Sequence, residues 1–255
     1  MTVRLSTGLA NAMAQGLGFA GALHRGYIKF FSGAQPANAD AAETGTLLGI
    51  ATKSSGALTK ETRASATLTV TGTSGTLTAV TAGTLPIVGD PGEVTYLTST
   101  AVTAALIADA INRSGVAEAT SASNVVTVKP RPGFGAAWNT LALAAAGITC
   151  TGSNFSGGVA PVNALMFGQP SAVVIAKPSD QVWSFNGLAT GTIGWARYYP
   201  SDTNDSGALL SGAPWYPRLD GSCGVGSGDF QLSTISISAG LPVTIDTFQW
   251  TQPKS

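Results

Sequence analysis

A mainly β protein of the sandwich or barrel class is what this sequence predicts, and three observations predict it. Short apolar runs alternate with Thr and Ser at the two-residue period of a strand. Clusters of Gly, Pro and Asp separate those runs, as turns between strands require. Only 10% of residues are charged while 44% are hydrophobic, a balance that disfavours disorder.

The elements follow in order. Leu5, Leu9, Met13 and Leu17 recur every fourth residue, so a short helix is expected near 5–15. Gly8, Gly16, Gly18 and Gly21 weaken it, and a looser turn is expected beyond it. Tyr27–Phe31 reads as a strand stopped by Ser32-Gly33, Ala34–Gly45 as a loop, and Leu47–Thr52 as a second strand. From Ala66 to Val159 the composition shifts to Thr, Ala, Val and Gly. There ATLTVTG alternates Leu68 and Val70 with threonines, and Thr76–Val88 offers one or two strands before Gly89-Asp90-Pro91-Gly92. Ser99-Thr100 caps a helix running to Arg113, with Val102, Leu106, Ile107, Ala110 and Ile111 as its apolar stripe and Ser114-Gly115 as its stop. Glu118–Ser121 and Asn124–Lys129 form a hairpin pair; Thr140–Ala144 and Ile148–Thr151 are further strands.

After Pro161 the style changes again. Strands are expected at Ser171–Lys177, Gln181–Phe185 and Thr190–Tyr199, the last with Ile193, Trp195 and Tyr199 on one face. Ser201–Ser211 is a polar loop. In Asp229–Ser238 and Val243–Thr251 the apolar parity slips once, from Phe230 and Leu232 to Ile235 and Ile237, and from Val243 and Ile245 to Phe248 and Trp250. A bulge in each strand explains the slip.

The bulk numbers narrow the function. Thirteen basic residues balance thirteen acidic ones, so the basic excess that neutralises phosphates is missing and no nucleic-acid partner is expected. No apolar run approaches the roughly 20 residues that span a bilayer, and the N-terminus lacks a compact signal-peptide core; synthesis in a cytoplasm and no membrane partner are expected. A surface of Ser, Thr, Asn, Gly and Ala costs little to desolvate, which suits packing against neighbours in an assembly; a secreted β domain with a hydroxyl-rich surface is the alternative. Cys150 and Cys223 are too few for a zinc site or a disulfide framework and read as buried thiols.

RLSTGLANAM, followed by GYIKFFSGAQPANADAAETGTLLGIAT, resembles the start of tailed-phage virion proteins: a short helix, then a strand ending in a Ser-Gly-x-Gln-Pro turn and an Ala-Asp-Ala loop. Their ends resemble GTIGWARYY, a polar loop, PRLDGSCG and DFQLSTISISAGLPVTIDTFQWTQP. The resemblance covers residues 4–58 and 161–255. Between them, ATLTVTG, TAALIADAINRSG, NVVTVKPRPGFGAAWNTLALAAAG and SNFSGG are similar to small α/β domains inserted in phage tail and tail-sheath proteins. Together these resemblances imply a β-sandwich host, 1–64 and 161–255, carrying a small inserted α/β domain, 65–160. They imply a head-decoration, neck or tail protein of a virion, made in the bacterial host cytoplasm, whose partners are capsid, neck or tail subunits and copies of itself. They assign no catalytic residue.

The chemistry-bearing motifs point the same way. His24 is the single histidine and follows a Gly-rich stretch with no nucleophile motif nearby. Gly16-Leu17-Gly18-Phe19-Ala20-Gly21 matches G-x-G-x-x-G, with Asp40 near the expected distance for a ribose-binding acid, but it follows a helix rather than a strand. Asp202, Asn204 and Ser206 copy the first half of a calcium loop whose twelfth position is Ala213, leaving a polar loop tip or a weak cation site. Asp180, Asp202, Asp205, Asp220 and Asp229 supply carboxylates without a spacing that selects a glycosidase pair. No catalytic, cofactor-binding or metal-ligating residue is assigned, and no cofactor is expected. Trp183, Phe185, Trp195, Tyr198, Tyr199, Trp215 and Tyr216 crowd the segment 183–216. They read as core, with Trp215-Tyr216, between Pro214 and Pro217, as the exceptions; exposed, they would make a carbohydrate-binding adhesin or receptor-binding module.

Overall fold

The structure is a computed structural model that describes residues 3–88, 91–171, 174–202, 208 and 216–251. The chain divides into two compact units, Met1–Lys60 with Pro161–Ser255, and Glu61–Ala160. The first boundary lies four residues before the expected one because 61–65 pairs forward: Thr62 bridges Val159 and Ser65 bridges Ser156, whereas Thr59 bridges Val162.

The first unit opens with β1 (Arg4–Leu5), α1 (Thr7–Ala14), α2 (Gly18–Ala22), β2 (Gly26–Ser32) and β3 (Leu47–Lys53). Ser6 starts α1: its Oγ accepts the Leu9 N–H at 3.1 Å. Leu9 and Ala12 bury the helix against the core. The stretch after it is not a loose turn but the short α2, held by tertiary packing that offsets its glycines: the Phe19 ring stacks 4.7 Å from Trp250.

The second unit holds β4 (Ala66–Ala82), β5 (Leu85–Pro86), α3 (Thr100–Ser114), β6 (Ala117–Ala122), β7 (Val125–Pro130) and β8 (Leu143–Gly152). α3 forms as its signals require: Ser99 Oγ accepts the Val102 N–H, and Gly115 closes the helix in the left-handed region at φ +69. The sheet runs β5-β4-β7-β6, with β8 paired to β4. β4 and β8 are each one long strand where the sequence suggested two, because register shifts at Val70/Gly75 and Gly75/Ala79 let the longer β4 follow the shorter β8. Leu68, Val80, Ile107, Ile111, Val126, Val128 and Trp138 meet in a core of their own. At the sheet edge, the Asn112 amide donates to Ala119 O and accepts the Ala119 N–H, at 2.9 and 2.8 Å.

The chain returns through β9 (Val174–Ala176), β10 (Trp183–Asn186), β11 (Gly191–Pro200), β12 (Leu219–Gly224), β13 (Phe230–Leu232), β14 (Ser236–Ile237) and β15 (Pro242–Thr251). Seven strands pair in the order β12-β13-β15-β10-β3-β2-β11, and β11 pairs back to β12. The fold is mainly β, as expected; the first unit, however, is a closed barrel and not the expected two-layer sandwich, since that last ladder joins the two ends of the sheet. The bulge expected in β15 is present, with Asp246 left between Thr247 and Ile245 against β13. The one expected in Asp229–Ser238 is instead a break between β13 and β14.

β11 carries a further bulge. Ser32 opposes Ile193 and Phe31 opposes Trp195, so Gly194 is the extra residue. A Cβ on Gly194 would lie 2.0 Å from Gly33 O, which only glycine avoids. The slip corrects the expected face: Ile193 joins the barrel core with Ala196 and Tyr198, while Trp195, Arg197 and Tyr199 take the opposite parity and point outward. No helix among the described residues is long and apolar enough to cross a membrane.

Because Thr59 and Val162 are hydrogen-bonded to each other at 3.2 and 3.0 Å, excising 61–160 leaves ends that a short linker joins at little closure cost. Replacing 61–160 by a short Gly/Ser linker is expected to leave one cooperative thermal transition and the near-UV dichroism of packed aromatics. A chain that unfolds without cooperativity would refute the independence of the barrel.

Candidate functional site

Among the described residues, a cluster of charged side chains lies on the outward face of β2, β11 and β12. At its centre Arg197 Nε and Nη2 donate to the two carboxylate oxygens of Asp220 at 2.5 and 2.7 Å. Both side chains are 0% exposed. The bidentate geometry matches the planar fork of guanidinium to a carboxylate. Burial alone opposes the charge on Arg197, and the hydrogen bonds it donates to Asp220, with the carboxylate's negative charge, reverse that, holding the guanidinium above its ordinary value.

The segment 33–46 between β2 and β3 crosses this face as a strap. Arg197 Nη1 donates to Ala41 O at 2.7 Å. The Tyr199 hydroxyl donates to Glu43 Oε1 at 2.5 Å, and Lys29 Nζ reaches the same oxygen at 3.2 Å. Burial, then the bond to Glu43, pushes the Tyr199 phenol well above its ordinary value. Arg4 donates to Pro36 O. Asp40 accepts the Thr7 N–H at 3.0 Å and the Thr7 hydroxyl at 2.7 Å, tying the strap to the start of α1. Asn38 Oδ1 turns the strap by accepting the N–H groups of Asp40 and Ala41 at 3.1 and 2.8 Å. Rings floor the cluster: Phe31 stacks on Trp195 at 4.6 Å and Tyr27 on Tyr199 at 5.5 Å, while Arg197 and Arg218 each lie 5.3 Å from the centre of a ring, Trp195 and Tyr199 respectively. The arrangement is a clamp built on two ion pairs, Arg197 with Asp220 and Lys29 with Glu43, crossed on its outer side by the strap.

The aromatic segment divides between two places. Trp183, Phe185 and Tyr198 fill the barrel and Trp195 and Tyr199 lie beneath the strap, each at most 1% exposed. The Tyr198 hydroxyl accepts the Gly26 N–H at 3.0 Å and lies 3.1 Å from the carbonyls of Leu23 and Leu165. Tyr216 is half-buried, and Trp215 lies outside the described residues.

The other sequence candidates are scattered. His24 is half-buried. Gly16 and Gly18 have φ of +85 and +64 and join α1 to α2. Asp202 is buried, whereas Asn204, Asp205 and Ser206 lie outside the described residues. Asp180 is exposed, Asp220 is held by Arg197, and Asp229 accepts the N–H and hydroxyl of Ser222, both at 2.8 Å. Cys150 and Cys223 are free and half-buried rather than buried; burial raises both thiols, Cys223 strongly, with Asp229 adding to the effect. Among the described residues no three His, Cys, Asp or Glu side chains gather as metal ligands. The Arg197–Asp220 pair was missed in sequence, although an arginine inside GTIGWARYY is a signal: an ion within an apolar strand requires a partner.

Comparison with known proteins adds no relative: no protein family, curated protein or solved structure matches this chain.

Removing one member of a buried pair leaves the other charge unpaired, at a cost of about 3–5 kcal/mol. Asp220→Asn and Arg197→Met are each expected to destabilise the protein by roughly that amount in urea unfolding. The double variant Arg197→Met/Asp220→Asn should lose less than the sum, with a coupling of about 1–3 kcal/mol. Additive losses would show that the two groups act separately.

Proposed function

We propose that this chain is a structural subunit of a tailed-phage virion, of the head-decoration, neck or tail type. It acts by symmetric assembly and without catalysis, and Glu61–Ala160 is a small α/β domain inserted in its barrel. One observation carries the reading. The sequence blocks that resemble virion proteins come from opposite ends of the chain, yet they build one clamp. SGAQPANADAAETG is the strap, GTIGWARYY brings Arg197, and PRLDGSCG brings Asp220. A resemblance arising from composition alone has no reason to converge on one set of contacts.

The low charge supports the same reading, since a surface of small hydroxyl-bearing and apolar side chains is released from water cheaply when copies pack together. Its partners are then capsid, neck or tail subunits and further copies of itself, and its place is the virion, after synthesis in the bacterial cytoplasm. The adhesin reading needs aromatic faces open to sugar rings, and five of the seven aromatics in 183–216 are buried.

Mass spectrometry of purified particles of the phage that encodes this chain is expected to find it at many copies per particle; its absence from the particles would reject the proposal. Trp195→Ala should cost about 3–5 kcal/mol, read as a lowered melting temperature, and the parent protein should give no specific signal on a glycan array. An unchanged melting temperature together with clear glycan hits would favour the adhesin instead.

A further inference from the structure

The second unit contains a cavity of about 250 Å³ lined by Leu85, Val116, Arg131, Phe134 and Trp138. Four of the five lining side chains are apolar, and the fifth is a cation. That is smaller than the ~300–1,000 Å³ pockets that enclose drug-sized ligands, so it fits a single ring with one substituent.

The cation is placed for a ligand. The other two arginines of the unit have carboxylate partners: Arg63 meets Glu118 at 2.7 Å, and Arg113 meets Glu93. Among the described residues no carboxylate pairs with Arg131; its guanidinium instead lies 4.9 Å from the centre of the Phe134 ring. Burial lowers the guanidinium from its ordinary value, a penalty that an arriving anion relieves. A planar fork at the edge of an apolar hollow selects a carboxylate, which it can bind with two parallel hydrogen bonds.

The wall is preformed. The Glu61 carboxylate, 1% exposed, accepts the N–H groups of Gly133 and Gly135 at 2.7 and 2.9 Å. It thereby fixes the turn Arg131-Pro132-Gly133-Phe134-Gly135 that carries both the cation and the ring. Gly133 has φ +93, and a Cβ on Gly135 would lie 2.5 Å from Val159 O, so the turn has little freedom to be built otherwise. Trp138 is braced edge-on by Phe155 at 5.0 Å. The Asn139 amide donates to Gly158 O and accepts its N–H, at 2.8 and 2.9 Å, which ties the next segment down. A site ordered before binding loses little entropy when filled.

We propose that this cavity binds a small aromatic monocarboxylate, its ring against Phe134 and Trp138 and its carboxylate on Arg131. The lining disfavours phosphates and sugars, which would leave polar groups against apolar walls. A single cation suits a single negative charge.

The test uses the full-length protein and ligand-observed NMR titrations with benzoate and with benzamide, its uncharged near-isostere. Benzoate should bind saturably and roughly tenfold or more tightly than benzamide, as expected for hydrogen bonds to a charged partner. Arg131→Gln should erase that preference, and Val116→Phe, which fills the cavity and keeps the cation, should weaken both ligands. Near-UV dichroism verifies that each variant is folded. Absence of saturable benzoate binding, equal affinity for the amide, or benzoate binding unchanged in either folded variant would overturn the proposal. Binding of a peptide ending in phenylalanine where benzoate fails would also overturn it, in favour of a protein partner.

Discussion

The first unit depends on keeping one ion pair dry. Arg197 and Asp220 sit on adjacent strands of the barrel, on the face that would otherwise meet water. Burying two ions costs several kcal/mol each, and their attraction offsets this only if every remaining donor and acceptor is used. The strap supplies one of those partners. It receives the third guanidinium bond at Ala41 and presents Glu43 to Tyr199 and Lys29. The same strap needs the pair, because 33–46 contributes no strand of its own to the ring. Loop and ion pair are therefore conditional on each other.

This dependence reaches back to a backbone detail. Without the extra residue at Gly194, the parity of β11 would send Trp195, Arg197 and Tyr199 into the barrel and Tyr198 out of it. A guanidinium among Phe30, Trp183, Phe230 and Phe248 would have no carboxylate within its shell. The bulge sorts the strand into an apolar half and an ionic half, and the close approach of Gly33 to Gly194 leaves room for no side chain. Two distant glycines thus decide which face of the barrel holds charge.

Much of this architecture was legible in the sequence, and the illegible parts share a cause. α3 could be read because its signals are local: a serine cap, a stripe at helical spacing and a glycine stop. The hairpin of β6 and β7 was legible for the same reason. Barrel closure was not, since it depends on β11 meeting β12 across 23 positions at Arg197 and Asp220, and no local pattern distinguishes a closed sheet from two stacked ones. The number of strands in β4 and β8 was overcounted because bulges and breaks look alike in a run of threonines and glycines. The parity slip of β15 was readable from its apolar residues, whereas that of β11 was hidden, because Trp195 and Tyr199 are as apolar as an inward face would be. The turn held by Glu61 was missed: its acceptor lies 72 positions from Gly133.

The edge strand β6 ends its sheet in an unusual currency. A peptide backbone offers its neighbour one donor and one acceptor per residue, and a side-chain amide offers the same two groups in the same plane. Asn112 presents that pair to Ala119 from the helix that covers the sheet. To Ala119, a further strand is already present. Any foreign strand sliding along this edge would meet an occupied rung there and would have to displace two good hydrogen bonds to continue. The sheet edge is thereby interrupted at one rung, which blunts the tendency of open edges to join when many identical domains are crowded together.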